Sequence, residues 1–259
     1  MKKLLIYLFL FPIVAIAQEY KTMQKDILLG DTIIKIVAEL KAPKSDIIFM
    51  NIHEDEQTSI EAIGEFGKSK DINFVYLKHI QTRRVHFNLG RRKYSVDPNR
   101  IYTELGRKNT LKTWNWFGFK AKKEAIIQTE KLANAILEYV LLEKIIVTLH
   151  NNTDVNYSIK SYLPGESEAE NTAEVNVDKN WDVDDFIYTT EKKYYDYLKA
   201  KGLNVILQDN SDFVNDGSLS VYCGINKIPY LNIEAQKGHL KEQIALIKIV
   251  SEMLEYFEQ

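Results

Sequence analysis

Two periods of apolar and polar positions run through the chain. Short, nearly unbroken apolar runs at residues 47–50, 74–77 and 145–149 predict buried strands, the last covered on both faces. Runs at 186–188, 204–207 and 228–235 add further strands, and the β-branched stretch 31–38 reads as an edge strand. The second period is helical. Ile60, Ile63 and Phe66 mark one face of a helix that begins just after Glu56. Residues 120–142 carry the fullest stripe, including Leu132, Ala133, Ile136 and Val140, with charges opposite. Residues 191–200 predict a helix that Gly202 ends, 217–224 a helical turn, and 240–257 a final helix. Alternating strands and helices imply a single α/β domain.

Three stretches break the pattern. Residues 158–184 lack a sustained apolar period and read as an inserted loop. At its acidic end, Asp182, Asp184 and Asp185 suggest either a calcium site or a solvated loop. Residues 90–100 combine Gly90, Asp97, Pro98 and Asn99 with Arg91, Arg92, Lys93 and Arg100, the composition of an irregular loop. It is either a solvated basic turn or an anion clamp, because arginine pairs bidentately with carboxylates. The aromatic cluster at 114–119 either lines a cleft or covers part of the core.

Composition narrows the context. Lys2 and Lys3, an apolar run at 4–14 and Ala15-Ile16-Ala17 before Gln18 form a secretory signal peptide over residues 1–17. The run is shorter than the ~20 residues a membrane span needs. The mature chain, residues 18–259, is expected in the periplasm or outside the cell, with no membrane span. Removing Lys2 and Lys3 from 34 basic residues leaves 32 against 36 acidic ones, a net charge of −4. That balance gives no reason to expect a nucleic-acid partner. The one cysteine, Cys223, excludes an internal disulfide and a cysteine-based metal site.

The candidate chemistry sits where predicted strands end. His53 and Glu56 lie between the strand at 47–50 and the following helix, three residues apart. An imidazole and a carboxylate at that spacing can hold one metal ion, and zinc accepts both donors. His150 follows the strand at 145–149 in the same way. Sites in open α/β sheets form beyond the carboxyl ends of strands, so the two histidines can converge. Glu234 closes the strand at 228–235; a carboxylate there needs a partner, and an activated water would be one.

His53-x-x-Glu56, Asp97-Pro98-Asn99-Arg100, His150 and Glu234, in this order over residues 46–240, resemble the zinc carboxypeptidase superfamily. The branch most similar is the succinylglutamate desuccinylase and aspartoacylase group. The resemblance implies a mostly parallel mixed central sheet flanked by helices. It implies one Zn²⁺ per chain on His53, Glu56 and His150, with Glu234 as general base and later acid. Asn99 and Arg100 would hold the substrate's free carboxylate. Arg92 would polarise the scissile carbonyl, with Arg83, Arg84 and Arg91 as alternatives. His239 would at most stand near Glu234 as a supporting residue. The capping tyrosine of true carboxypeptidases is missing from residues 208–214, with Tyr222 and Tyr230 as substitutes.

Taken with export, these features imply a secreted zinc-dependent amide hydrolase, carboxypeptidase-like. Its substrate would be a small peptide or acylated amino acid with a free carboxylate. The alternatives are an N-acyl amino acid deacylase and a non-catalytic binding protein on the same scaffold.

Overall fold

The computed structural model describes residues 20–113, 123–155 and 157–258. The expected signal peptide at 1–17 and the aromatic cluster at 114–119 lie outside the described residues. The strands are β1 (Lys21–Leu29), β2 (Thr32–Leu40), β3 (Ile47–Asn51), β4 (Asn73–Lys78), β5 (Val85–Leu89), β6 (Arg92–Val96), β7 (Lys112–Thr113), β8 (Ile145–Asn152), β9 (Thr172–Asn176), β10 (Phe186–Thr189), β11 (Val205–Gln208) and β12 (Tyr230–Gln236). The helices are α1 (Gln57–Phe66), α2 (Glu104–Thr110), α3 (Lys123–Val140), α4 (Lys192–Ala200), α5 (Leu219–Asn226) and α6 (Leu240–Glu258). Among the described residues, nine strands form one mixed sheet in the order β1-β2-β4-β3-β8-β12-β10-β11-β9. Its centre, β4-β3-β8-β12, is parallel throughout, and the flanks are largely antiparallel.

Side chains alternate across the sheet with period two, which separates the core into two layers. Ile48, Met50 and Ile146 pack with α3 and α5, whereas Ile47, Phe49, Ile145, Val147 and Leu149 pack with α1, α4 and α6. This is why the central runs read as unbroken apolar stretches: both faces are covered. It also fixes the chemistry. Parallel pairing sets Glu234 opposite His150, and Asn232 opposite Thr148, so Glu234 and His150 share a face at the carboxyl ends of neighbouring strands.

Several sequence expectations change. β2 is not an edge strand, because β1 covers it in a nine-pair hairpin register. Residues 90–100 are not one loop: Gly90, at φ +60°, turns the chain into β6, which pairs with β5. The basic residues at 91–93 hid Tyr94 and Val96, which are buried. Within 158–184, β9 pairs with β11 and forms the other edge of the sheet. The acidic run is not solvated throughout. Asp185 is buried and accepts from the Gln236 N–H at 2.9 Å and from His239 Nδ1.

One glycine contact positions the site. Gly217 has φ +82°, and a Cβ there would lie 2.4 Å from Gly106 Cα and 2.7 Å from Arg100 O. Its carbonyl accepts from the Tyr102 N–H at 3.0 Å, locking the 216–218 turn against the segment that carries Asn99 and Arg100. Gly217→Ala is expected to cost at least about 1–3 kcal/mol from the backbone conformation alone. Urea denaturation reads this; a variant as stable as the parent would show that the turn moves freely.

Candidate functional site

The turn after β3 builds the first half of the site. The Glu56 N–H donates to the His53 carbonyl at 3.1 Å, closing a tight turn before α1. Asn51 holds that turn to the sheet: its Nδ2 donates to Ser59 Oγ at 2.6 Å and to the Leu149 carbonyl at 3.3 Å. Ser59 Oγ in turn donates to the Glu56 carbonyl at 2.7 Å. His53 and Glu56 therefore face the end of β8, where His150 stands.

These three side chains meet. His53 Nδ1 is 2.8 Å from Glu56 Oε1 and 3.1 Å from His150 Nδ1, and His150 Nδ1 is 3.0 Å from Glu56 Oε2. All three are buried, and one ligand atom from each lies within 4.8 Å of the others. Among the described residues no other group of three histidine, cysteine or carboxylate side chains meets that test. Zinc ligands at 2.0–2.2 Å in a tetrahedron stand about 3.3–3.6 Å apart, a few tenths of an ångström wider than the spacings seen here. The donor set of two neutral-capable imidazoles and one carboxylate therefore fits a metal ion.

Nothing in the local pattern assigns Asp97 a role of its own, yet its carboxylate completes the cluster. Asp97 Oδ1 is 2.9 Å from His53 Nε2 and also accepts from the Asn99 N–H at 2.9 Å. It caps the short turn Pro98–Arg100, with proline at the first position, a sequence signal for such a cap. A carboxylate on the far nitrogen fixes the ring and its tautomer, as such partners do around metal sites. Arg83 bridges from above: Nη1 donates to Glu56 Oε1 at 2.7 Å, and Nε lies 3.6 Å from Asp97 Oδ2.

The electrostatics follow from burial and pairing. Burial opposes charge on His53, but the Glu56 charge and the Asp97 hydrogen bond outweigh it and raise its pKa to about 9. Burial likewise opposes the Glu56 and Asp97 charges. His53 outweighs it for both, with His150 helping Glu56 and Arg83 helping Asp97, and both carboxyls fall well below their usual range. Glu234 differs. Burial pushes its pKa up and the Glu56 charge adds to this, against the His150 charge and a hydrogen bond from Asn232 Nδ2 at 3.1 Å.

A cavity of about 230 Å³ opens beside the cluster. Arg83, Asn99, Arg100, His150, Tyr157 and Glu234 are among its lining residues. Asn99 Oδ1 accepts from the Leu219 N–H at 3.2 Å, which leaves Nδ2 as a donor. Arg100 sends Nη1 to the Asn99 carbonyl at 3.0 Å and Nε toward Asp216 Oδ2 at 3.2 Å. Arg92 opens β6 in the three-stranded hairpin sheet and is not among the lining residues; Arg83 is. His239 pairs with Asp185 rather than with Glu234. Tyr230 lines the cavity, with its hydroxyl 2.6 Å from Thr148 Oγ1. Tyr157, Tyr162, Glu168, Asn171 and Tyr188 also line it, and nothing in their local sequence pattern marked them. A larger groove of about 510 Å³ runs between α1 and β4, past Ile60, Gly64, Phe74 and Tyr76. His53, Glu56 and His150 are not among its lining residues.

No protein-family model matches the chain, and no curated protein matches it in sequence. Solved structures do resemble it in shape. One is a protein assigned as a succinylglutamate desuccinylase/aspartoacylase from Shewanella frigidimarina NCIMB 400, at 10% identity and TM-score 0.45, covering 92% of this chain and 72% of that one. Another is the murein-tripeptide amidase of Escherichia coli O157, at 10% identity and TM-score 0.44, covering 85% and 86%. A third is a metallo-carboxypeptidase from Burkholderia cenocepacia, at 9% identity and TM-score 0.43, covering 90% and 65%. These are likenesses of shape; the chemistry comes from the side chains themselves.

Proposed function

We propose that the protein is an exported zinc-dependent hydrolase that cleaves an amide bond next to a residue with a free carboxylate. One observation carries the reading: His53, Glu56 and His150 converge, and Glu234, paired in register with His150, lines the same cavity as Asn99 and Arg100. His53 Nδ1, Glu56 and His150 Nδ1 would hold the metal. Zinc, when bound, supplies a Lewis acid and draws the pKa of water toward about 7. Asp97 keeps His53 oriented through its far nitrogen.

The chain's own residues account for the rest of the reaction. The substrate carboxylate is received by the Asn99 amide and Arg100 Nη2, which makes no hydrogen bond among the described residues. Glu234, raised in pKa by burial, takes a proton from the attacking water as the carbon–oxygen bond forms. It returns that proton to the nitrogen as the carbon–nitrogen bond breaks. Arg83 lines the cavity beside the cluster and is the better placed arginine to meet charge developing on the carbonyl oxygen. A cavity of about 230 Å³ suits a single terminal residue more than an extended chain, which favours removal of an end residue. A purely binding role explains neither the intact donor triad nor a buried carboxylate beside it.

Export rests on reading residues 1–17 as a signal peptide, under which the substrate would lie outside the cytoplasm. Among the described residues no helix is long and apolar enough to cross a membrane.

Elemental analysis of the purified mature chain is expected to find about one zinc, against none in the His53→Ala, His150→Ala double variant. Removing the metal with a chelator should abolish hydrolysis of short peptides and N-acyl amino acids, and added zinc should restore it. A chain that neither carries nor binds zinc would rule out this function.

A further inference from the structure

We propose that the part of the cavity lined by Tyr157, Tyr162, Glu168, Asn171 and Tyr188 is a subsite for a cationic group, so that the residue released carries a positively charged side chain. The proposal rests on the hydrolase reading and names the substrate class of that site.

The argument begins with charge. Arg83 and Arg100 are the cavity's guanidinium groups, and Glu168, Asp216 and Glu234 are its carboxylates. Each arginine already has an anionic partner: Arg83 pairs with Glu56, and Arg100 with Asp216. Glu234 is buried and pushed toward its neutral form. Glu168 is half-buried, and its Oε2 accepts only from the Asn171 amide, at 3.0 Å. Among the described residues no lysine, arginine or histidine forms an ion pair with it.

Tyr157, Tyr162 and Tyr188 line the same cavity as Glu168. The Tyr157 and Tyr162 hydroxyls are 2.5 Å apart, and the Tyr188 hydroxyl donates to Gln208 Oε1 at 3.0 Å. One proton bridges the Tyr157–Tyr162 pair, so the phenol oxygens keep lone pairs that can accept from a cation's N–H groups. Ring centroids lie 6.0 Å apart for Tyr157 and Tyr162, and 5.6 Å for Tyr162 and Tyr188. Burial is the main cause that raises the three phenol pKa values, and the Glu168 charge adds to it for each, in keeping with their shared cavity. A carboxylate that shares a cavity with phenol oxygens attracts a cationic group twice, through its charge and through the hydrogen bonds those oxygens can accept. An apolar or anionic ligand would instead strip water from Glu168 and give nothing in return. The backbone holds the residue in place: the Glu168 N–H donates to the Ser161 carbonyl at 2.8 Å, and its carbonyl accepts from Thr172 Oγ1 at 3.1 Å.

The test uses matched N-acylated dipeptides ending in lysine or norleucine, whose side chains differ by the terminal amino group. The zinc-loaded chain is expected to favour lysine by about tenfold or more in kcat/KM. Glu168→Gln, which keeps the Asn171 hydrogen bond, should bring the two substrates within about twofold of each other. Calorimetric binding of free L-lysine and L-norleucine to both proteins reads the subsite without turnover. Equal treatment of the two dipeptides by the parent chain, or an unchanged preference in Glu168→Gln, overturns the subsite. If neither dipeptide is cut, the binding pair decides. A lysine advantage lost in Glu168→Gln keeps the subsite and sinks the hydrolase reading, and no advantage sinks the subsite.

Discussion

Glu234→Gln is expected to lower kcat by roughly 10²–10⁴-fold while leaving zinc content unchanged. Glutamine has the same shape, and its carbonyl can still accept from Asn232 Nδ2, so the cavity wall should survive. What it lacks is a site that takes up a proton and gives it back. Glu234 is not one of the three clustered donors, so the metal has no reason to leave with it. The proposed clamp for the substrate carboxylate, Asn99 and Arg100, is untouched, so KM should change much less than kcat. Fold stability should hold or rise, because the substitution removes a buried carboxylate whose charged form burial disfavours. Steady-state kinetics beside elemental analysis separates the cases. A variant keeping more than about a tenth of its activity would remove Glu234 from the proton transfer. Loss of zinc together with activity would instead mean that Glu234 supports the metal.

How much of this was legible along the chain depends on how local each contact is. His53 and Glu56 are three residues apart at a strand-to-helix junction, so their meeting is a local fact that the pattern reveals. His150 and Glu234 each close an apolar run, which points to the carboxyl end of a strand. Their shared register is not local: β8 and β12 are about eighty residues apart, and only sheet order places one opposite the other. Asp97 reaches His53 across the fold, so its role beside the metal cluster is tertiary. The arginines show the same limit. The family resemblance implies Arg92, with Arg83 among the alternatives, but the β5–β6 hairpin carries Arg92 into the smaller sheet, while Arg83, just before the hairpin, reaches Glu56. β1 escaped notice because it is a half-exposed edge strand, written with polar residues such as Gln24, Lys25 and Asp26.

Zinc affinity is expected to climb with pH, about tenfold per unit from pH 7 toward 9, and then to level off. In the metal-free chain His53 holds its second proton up to about 9, because Glu56 and Asp97 outweigh the cost of burying its charge. A metal on Nδ1 must displace that proton, so each unit of pH below 9 weakens binding by the proton's competition. The stability of the metal-free fold runs the other way. A histidine whose pKa rises on folding from 6.5 to about 9 contributes stability that is complete below 6.5 and lost as pH climbs through 9. Glu56 and Asp97, lowered on folding, contribute stability present above the ordinary carboxylate range and lost in acid. The metal-free chain should therefore melt highest at mildly acidic pH, and the gain from added zinc should widen toward pH 9. Asp97→Asn tests the cause. The amide still reaches His53 Nε2 but brings no charge, so the histidine pKa should fall, the pH slope should flatten below 9, and affinity at high pH should drop about 10–100-fold. Zinc titrations by calorimetry across pH 6–9 measure both slope and plateau. A slope unchanged in Asp97→Asn would show that Glu56 alone holds the His53 proton, and that Asp97 sets only the orientation of the ring.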